Sequence, residues 1–201
     1  MSHLVVIPIL IPLLAAALSI VSWRSVSLQR WIAIIATGAL LLVSIALLQL
    51  TREHGFVVMH MGDWAAPFGI TIVADLLSAI MVVLTGIIGF SIAIYSLATT
   101  PEGHERFGYY PLMHLLLAGV AGSFLTGDIF NLYVWFEVML LSSFALLTLG
   151  GERAQMEGAI KYVALNLFSS ALLLSAIGLV YATTGTLNMA DLGQKLAQVE
   201  H

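Results

Sequence analysis

The sequence predicts an all-α membrane protein, a bundle of helices that crosses a bilayer six times. Hydrophobic residues fill 60% of the 201 positions and charged residues 9%, where a soluble domain would carry about a quarter charged. That leaves too little polar surface to cover a globule, and the mean hydropathy of +1.03 agrees. Apolar runs long enough to span the hydrocarbon core, which takes about 20 residues, alternate with short stretches that hold most of the charge. The net charge of −4 is spread thinly over those stretches and points to no nucleic-acid partner. With no cysteine, this chain offers no disulfide framework, no thiolate metal site and no Fe–S cluster.

The six spans fall at 4–22, 31–50, 70–98, 109–126, 129–149 and 159–181. The first contains "LLAAALS", which looks like a signal-peptide cleavage region. Nothing basic precedes it, however, and Pro8 and Pro12 interrupt its apolar run, so it reads as a retained span. The third is longer than a crossing needs and is expected to tilt or to project from the membrane. Between the second and third, "FVVMHM" is a candidate short strand, and Trp64 and Phe68 suit an interfacial position. After the sixth span, 186–200 reads as a short interfacial helix with Asn188 as N-cap and Asp191 in its first turn. No internal repeat divides the chain, so 1–201 is read as a single transmembrane domain. With the N-terminus outside, Arg24, Arg30, Arg106, Arg153 and Lys161 fall on the cytoplasmic side, leaving only Arg52 and Lys195 outside. Positive residues collect on the cytoplasmic side, which selects that orientation.

Within the membrane the ionisable residues are Asp75, His114, Glu137 and, at a margin, Lys161. Charges at bilayer depth are expensive, and by default they mark ion pathways or pair with one another. Glu137 is the leading candidate for proton transfer. It lies eight residues beyond Ile129, roughly 12 Å along a helix, and so near the midplane. Tyr133 sits one turn away, and Leu140, Leu141 and Thr148 continue its stripe. A carboxyl there either exchanges protons or stays protonated and hydrogen-bonds a neighbouring helix. His114, flanked on its face by Tyr110 and Ala118, either relays protons or rests as a neutral imidazole bonded to a carbonyl or hydroxyl. Asp75 is either an exit-side carboxylate or a helix-start acid that favours the dipole; Ser78, Gly86 and Gly89 near its stripe suit a close helix–helix contact.

Lys161 follows Glu157 by four residues, a favourable helical pair, and it can also snorkel to the interface. Asn166 lies deeper, with Tyr162, Ser169 and Ser170 near its face, a patch that either bonds across helices or lines a hydrated path. There is no phosphate-cradling glycine loop, no His/Cys metal spacing and no nucleophile–base pair. Neither enzyme catalysis of the soluble kind nor a cofactor is expected from these residues.

"TGDIFNLYVWFEVMLLSSFALLTLGG", followed by "AIKYVALNLFSSALLLSAIGLVYATTGTLNMADL", closely resembles the D subunit of multisubunit Mrp-type cation/proton antiporters. "GDWAAPFGITIVADLLSAIMVVLTGIIGFSIAIYS" looks like the third-span region of the same family. The resemblance runs along nearly the whole chain, and "NLYVWFE" together with "TGTLNMADL" carries its specificity. It implies kinship with the proton-pumping membrane subunits of respiratory complex I and related hydrogenases. In those proteins a fifth-span glutamate pairs with a seventh-span lysine to drive proton transfer, and that glutamate falls on Glu137. Asp75 lies inside a matching segment without an assigned family role, and His114 belongs to no recognised motif.

The resemblance implies an ion-translocating subunit that exchanges Na⁺ or another monovalent cation for protons. Its partners would be the other subunits of a hetero-oligomeric complex, in a bacterial or archaeal plasma membrane. A proton-pumping subunit of a complex I-like oxidoreductase or membrane-bound hydrogenase is the alternative, and a non-conducting scaffold is a third. Family members carry roughly twice as many spans, with a second inverted repeat. The sequence is therefore expected to be the N-terminal part of such a subunit, or one piece of a split gene, and not to transport alone.

Overall fold

The computed structural model describes residues 2–197. A 3-10 turn, Ser2–Val5, leads into α1 (Ile7–Val21), whose Pro8 occupies the first turn, where a missing N–H leaves no bond unmade. The helix α2 (Val26–His54) begins at Ser25, whose hydroxyl accepts from the Leu28 amide, and stops at Gly55 with φ 79°. Those two caps, rather than the limits of the apolar run, set its ends, so it extends beyond the expected 31–50.

The expected third span, 70–98, is two elements. Thr71–Ala74 is a strand, β2, paired antiparallel with β1 (Val57–His60), with Val58 opposite Val73 and His60 opposite Thr71. The helix α3 (Leu76–Thr99) starts only after Asp75, which accepts from the Ser78 amide while the Ser78 hydroxyl accepts from the Asp75 amide. This reciprocal box fixes the helix start. It also shortens the helical part of that span to 24 residues.

A short helix, α4 (Glu102–Arg106), precedes α5 (Tyr109–Leu125), and α6 (Ile129–Thr148) and α7 (Arg153–Thr184) follow. The reach of α7 exceeds 159–181 because Glu152 and Gln155 box its first turn and Gly185, at φ 67°, ends it. The last helix, α8 (Met189–Leu196), starts at Asn188, whose side chain accepts from the Ala190 and Asp191 amides. It is shorter than 186–200, and positions 198–200 lie outside the described residues.

Among the described residues four helices are long and apolar enough to cross a membrane: α2, α3, α6 and α7. The helices α1 and α5 are apolar but shorter. The chain is thus a mainly helical, multi-pass membrane protein. At the centre stands α5, packed by α1, α3 and α6, while α2 joins α1 to α3 and α7 lies against α6. One core cluster gathers Val5, Ile9, Leu47, Ile72, Val82 and Leu125, so the hairpin plugs one end of the bundle. Along α2, Thr37, Ser44 and Thr51 are buried, each hydroxyl donating to the carbonyl four residues back, which satisfies it without a partner helix. Large apolar side chains such as Leu42, Tyr95, Leu165 and Leu179 face outward, as a lipid-facing surface requires.

The α5–α6 contact depends on two glycines one turn apart. A Cβ at Gly119 would fall 2.9 Å from the Met139 backbone nitrogen, and one at Gly122 would run into the Trp135 indole. Close backbone approach of this kind is the usual basis of membrane helix packing. Gly122→Val is expected to destabilise the protein by at least about 2 kcal/mol through overpacking. Thermal unfolding in detergent would check this, and an unchanged midpoint would show that Trp135 swings aside freely.

Candidate functional site

The site is built on the side of α6 that α5 leaves free. Trp135 and Met139 press on Gly122 and Gly119, and a residue midway between them in sequence points to the opposite side of a 3.6-residue helix. Glu137 is that residue, and it looks toward α7. Its register is held by the start of α6. The Asp128 carboxylate accepts from the Asn131 amide at 2.7 Å, and the Asn131 side chain donates to the Thr126 hydroxyl at 2.9 Å.

The α5–α6 link in turn pairs with the α7–α8 link. The Ile129 amide donates to the Leu187 carbonyl and the Met189 amide to the Gly127 carbonyl, both at 2.9 Å. Asn188 also donates to the Thr71 hydroxyl of β2 at 3.1 Å. The turn "TGDI" that leads into "NLYVWFE" is therefore tied to "TGTLNMADL" at one end of the bundle.

Glu137 lines a cavity of about 30 Å³ between α6 and α7, with Leu140, Phe144, Tyr162, Asn166 and Ser170 among its walls. Its Oε1 is buried and has no hydrogen-bond partner among the described residues. The sequence patch around Asn166 thus faces the carboxyl directly, except that Ser169 donates to the Leu165 carbonyl of its own helix.

The other expected residues lie elsewhere. Asp75 caps α3 and borders a separate cavity of about 500 Å³ under the hairpin, together with His60, Thr71, Thr126 and Asn188. His114 is completely buried in α5, and neither ring nitrogen finds a partner among the described residues. It lines neither of these cavities. Lys161 pairs with Glu157 at 2.7 Å on an exposed face. Among the described residues no three His, Asp or Glu side chains come together as a metal site.

At the other end of the bundle is a cluster that the sequence did not reveal. The Arg30 guanidinium of α2 donates to both oxygens of Glu105 in α4, at 2.9 and 2.7 Å. The Tyr110 hydroxyl of α5 donates to the same carboxylate at 2.7 Å. Burial by itself would raise the Glu105 pKa, but the Arg30 and Tyr110 hydrogen bonds outweigh it and hold the group below the ordinary carboxylate value.

In sequence and fold the chain resembles one class, the antiporter-like membrane subunits. Residues 126–200 match the family described as NADH:quinone oxidoreductase/Mrp antiporter, TM. Within that class the chain is similar to the D subunit of the Na⁺/H⁺ antiporter of Alkalihalophilus pseudofirmus, 44% identical over 200 residues that cover 100% of this chain and 41% of the relative. The fold is similar to a chain of the Mrp complex from Dietzia sp. DQ12-45-1b, with TM-score 0.84, 30% identity, and 94% and 36% of the two chains covered. It is also similar to a chain of the membrane-bound sulfane sulfur reductase, an archaeal respiratory membrane complex, with TM-score 0.91, 28% identity, and 96% and 40% covered. The antiporter resemblance, read along nearly the whole sequence, holds over 200 of its residues. The chain spans about two fifths of the length of the relatives it matches.

Proposed function

We propose that this chain supplies the proton-carrying half of an ion-translocating antiporter subunit, with Glu137 as the group that takes up and releases the proton. The observation that carries this reading is the Glu137 Oε1 atom, buried without a partner among the described residues and beside a cavity. An acid kept only for packing would have its oxygens satisfied by a neighbouring helix. The exchanged ion is a monovalent cation, Na⁺ on the similarity to part of an Na⁺/H⁺ antiporter. The protein works as a transporter component in the cell membrane, among other subunits, and is not itself an enzyme. The cationic partner of Glu137 is the seventh-span lysine that the family resemblance implies, since Lys161 is engaged with Glu157. Asp75 and His114 remain secondary candidates, Asp75 at the mouth of the path and His114 as an inner relay.

The bundle is read as six spans of one transmembrane domain with the N-terminus outside and α8 at the outer interface. The α4 end then gathers Arg24, Arg30, Arg106, Arg153 and Lys161 on the cytoplasmic side. A reporter fused into the 101–108 loop is expected to signal from the cytoplasm, and an external signal would reverse the orientation.

A second reading, a component of a redox-driven pump, is favoured by the likeness to the respiratory complex. The two separate in everted vesicles carrying the complete complex. Cation-dependent proton movement without any redox substrate supports the antiporter, and its strict dependence on a redox substrate supports the pump. The test of Glu137 itself is Glu137→Gln in the same vesicles: normal exchange would leave Glu137 a neutral structural group in a scaffold.

A further inference from the structure

We infer that α7 holds a water molecule against the Glu137 carboxyl through a ladder of Tyr162, Asn166 and Ser170, with Asn166 as the positioning residue. This rests on the reading of Glu137 as the proton carrier and adds how that carboxyl is held and reached.

The three side chains are spaced four residues apart on one helix, so they form a single row along the face turned to α6. All three line the cavity that Glu137 lines. The space, about 30 Å³, exceeds the roughly 10–15 Å³ that one water requires. A buried water needs two to four polar partners, and the Glu137 Oε1, the Asn166 amide and the two hydroxyls provide that number. The apolar walls, Leu140, Leu141, Phe144 and Leu167, supply none, so the row and the carboxyl alone would hold the water.

Asparagine is the informative member. Its side chain offers both an acceptor and two donors. A water held by it can accept from a protonated Glu137 or donate to an ionised one, so the site stays occupied through both halves of a proton cycle. The row is also uncharged. A lysine or arginine there would hold Glu137 ionised, and Lys161 of the same helix is directed to Glu157 instead. Neutral groups that reach the carboxyl through a water would leave the choice of state to a movable charge elsewhere.

The test uses the complete complex carrying this chain. Asn166→Leu keeps the side-chain volume and removes every polar atom. Exchange is expected to fall about tenfold or more, the worth of one hydrogen bond to a charged group. The protonated Glu137 carbonyl band, identified in infrared difference spectra as the band that Glu137→Gln abolishes, is expected to move to higher frequency. Asn166→Ser, which still binds water, is expected to restore both. Wild-type exchange together with an unmoved band in Asn166→Leu would overturn the inference. Should that variant not assemble, Tyr162→Phe combined with Ser170→Ala removes two partners without changing the cavity's shape, and an unmoved band there overturns it equally. A Glu137→Gln protein that still exchanges would defeat the proton-carrier reading, whereas an inactive Glu137→Gln beside a normal Asn166→Leu defeats only the ladder.

Discussion

Glu137→Gln is expected to lower cation/proton exchange by at least about a hundredfold, the scale of losing a positioned proton-transfer group, with the amount of assembled complex unchanged. The asymmetry follows from the surroundings of the side chain. Glutamine has nearly the same shape, and Oε1 makes no hydrogen bond to the protein that the amide would forfeit. Packing against Leu140, Leu141 and Phe144 therefore survives while the exchangeable proton does not. Glu137→Asp keeps the proton but withdraws the carboxyl by about one methylene. A misplacement of that size is expected to cost up to about a hundredfold, so aspartate should fall between wild type and glutamine. Proton movement driven by added cation in everted vesicles, normalised to complex content, would measure all three. Equal rates for wild type and glutamine would remove Glu137 from the transport path.

The position of Glu137 was legible in the sequence because depth and chemistry coincide there: one acid in the middle of an apolar run. The polar side of α7 was legible too, since Tyr162, Asn166 and Ser170 share a helical face. Neither the composition nor the periodicity showed that the two faces meet. That follows from Gly119 and Gly122, which bring α5 onto the opposite side of α6 and leave Glu137 turned to α7.

The third span misled for a different reason. "TIVA" is apolar and runs directly into an apolar helix, and short apolar runs do not distinguish strand from helix. Only pairing with Val57–His60 decides, across a ten-residue loop whose register no local pattern sets. The Arg30–Glu105 pair joins residues 75 apart in sequence. In "PEGHERFG" nothing separates Glu102, exposed and paired with Arg106, from Glu105, wholly buried.

That pair yields the second large effect, which lies in stability rather than transport. The Glu105 side chain is 0% exposed and the Arg30 side chain 39%, so the two halves are not equivalent. Removing Glu105 frees an arginine that can turn to water, and Glu105→Gln keeps a polar group for Tyr110 to bond. Removing Arg30 strands a carboxylate inside the protein. Breaking a fully buried pair costs about 3–5 kcal/mol, and the partial exposure of Arg30 reduces this, so Arg30→Ala is expected to destabilise by about 2–3 kcal/mol and Glu105→Gln by about half as much.

The pH dependence should change sign. In the wild type the folded-state pKa of Glu105 is lowered, so its contribution is complete above the ordinary carboxylate range and lost as pH falls through the depressed value. Without Arg30, burial becomes the dominant influence, the folded protein prefers the protonated acid, and stability rises as the medium is acidified from neutrality. Thermal unfolding of the detergent-solubilised protein across mildly acidic pH would reveal the reversal. If Arg30→Ala instead tracked the wild type at every pH, the Arg30–Glu105 pair would be no more than a surface ion pair, and the end of the bundle where α2, α4 and α5 meet would owe its order to the buried cluster of Tyr110, Ala33, Ala93 and Met113.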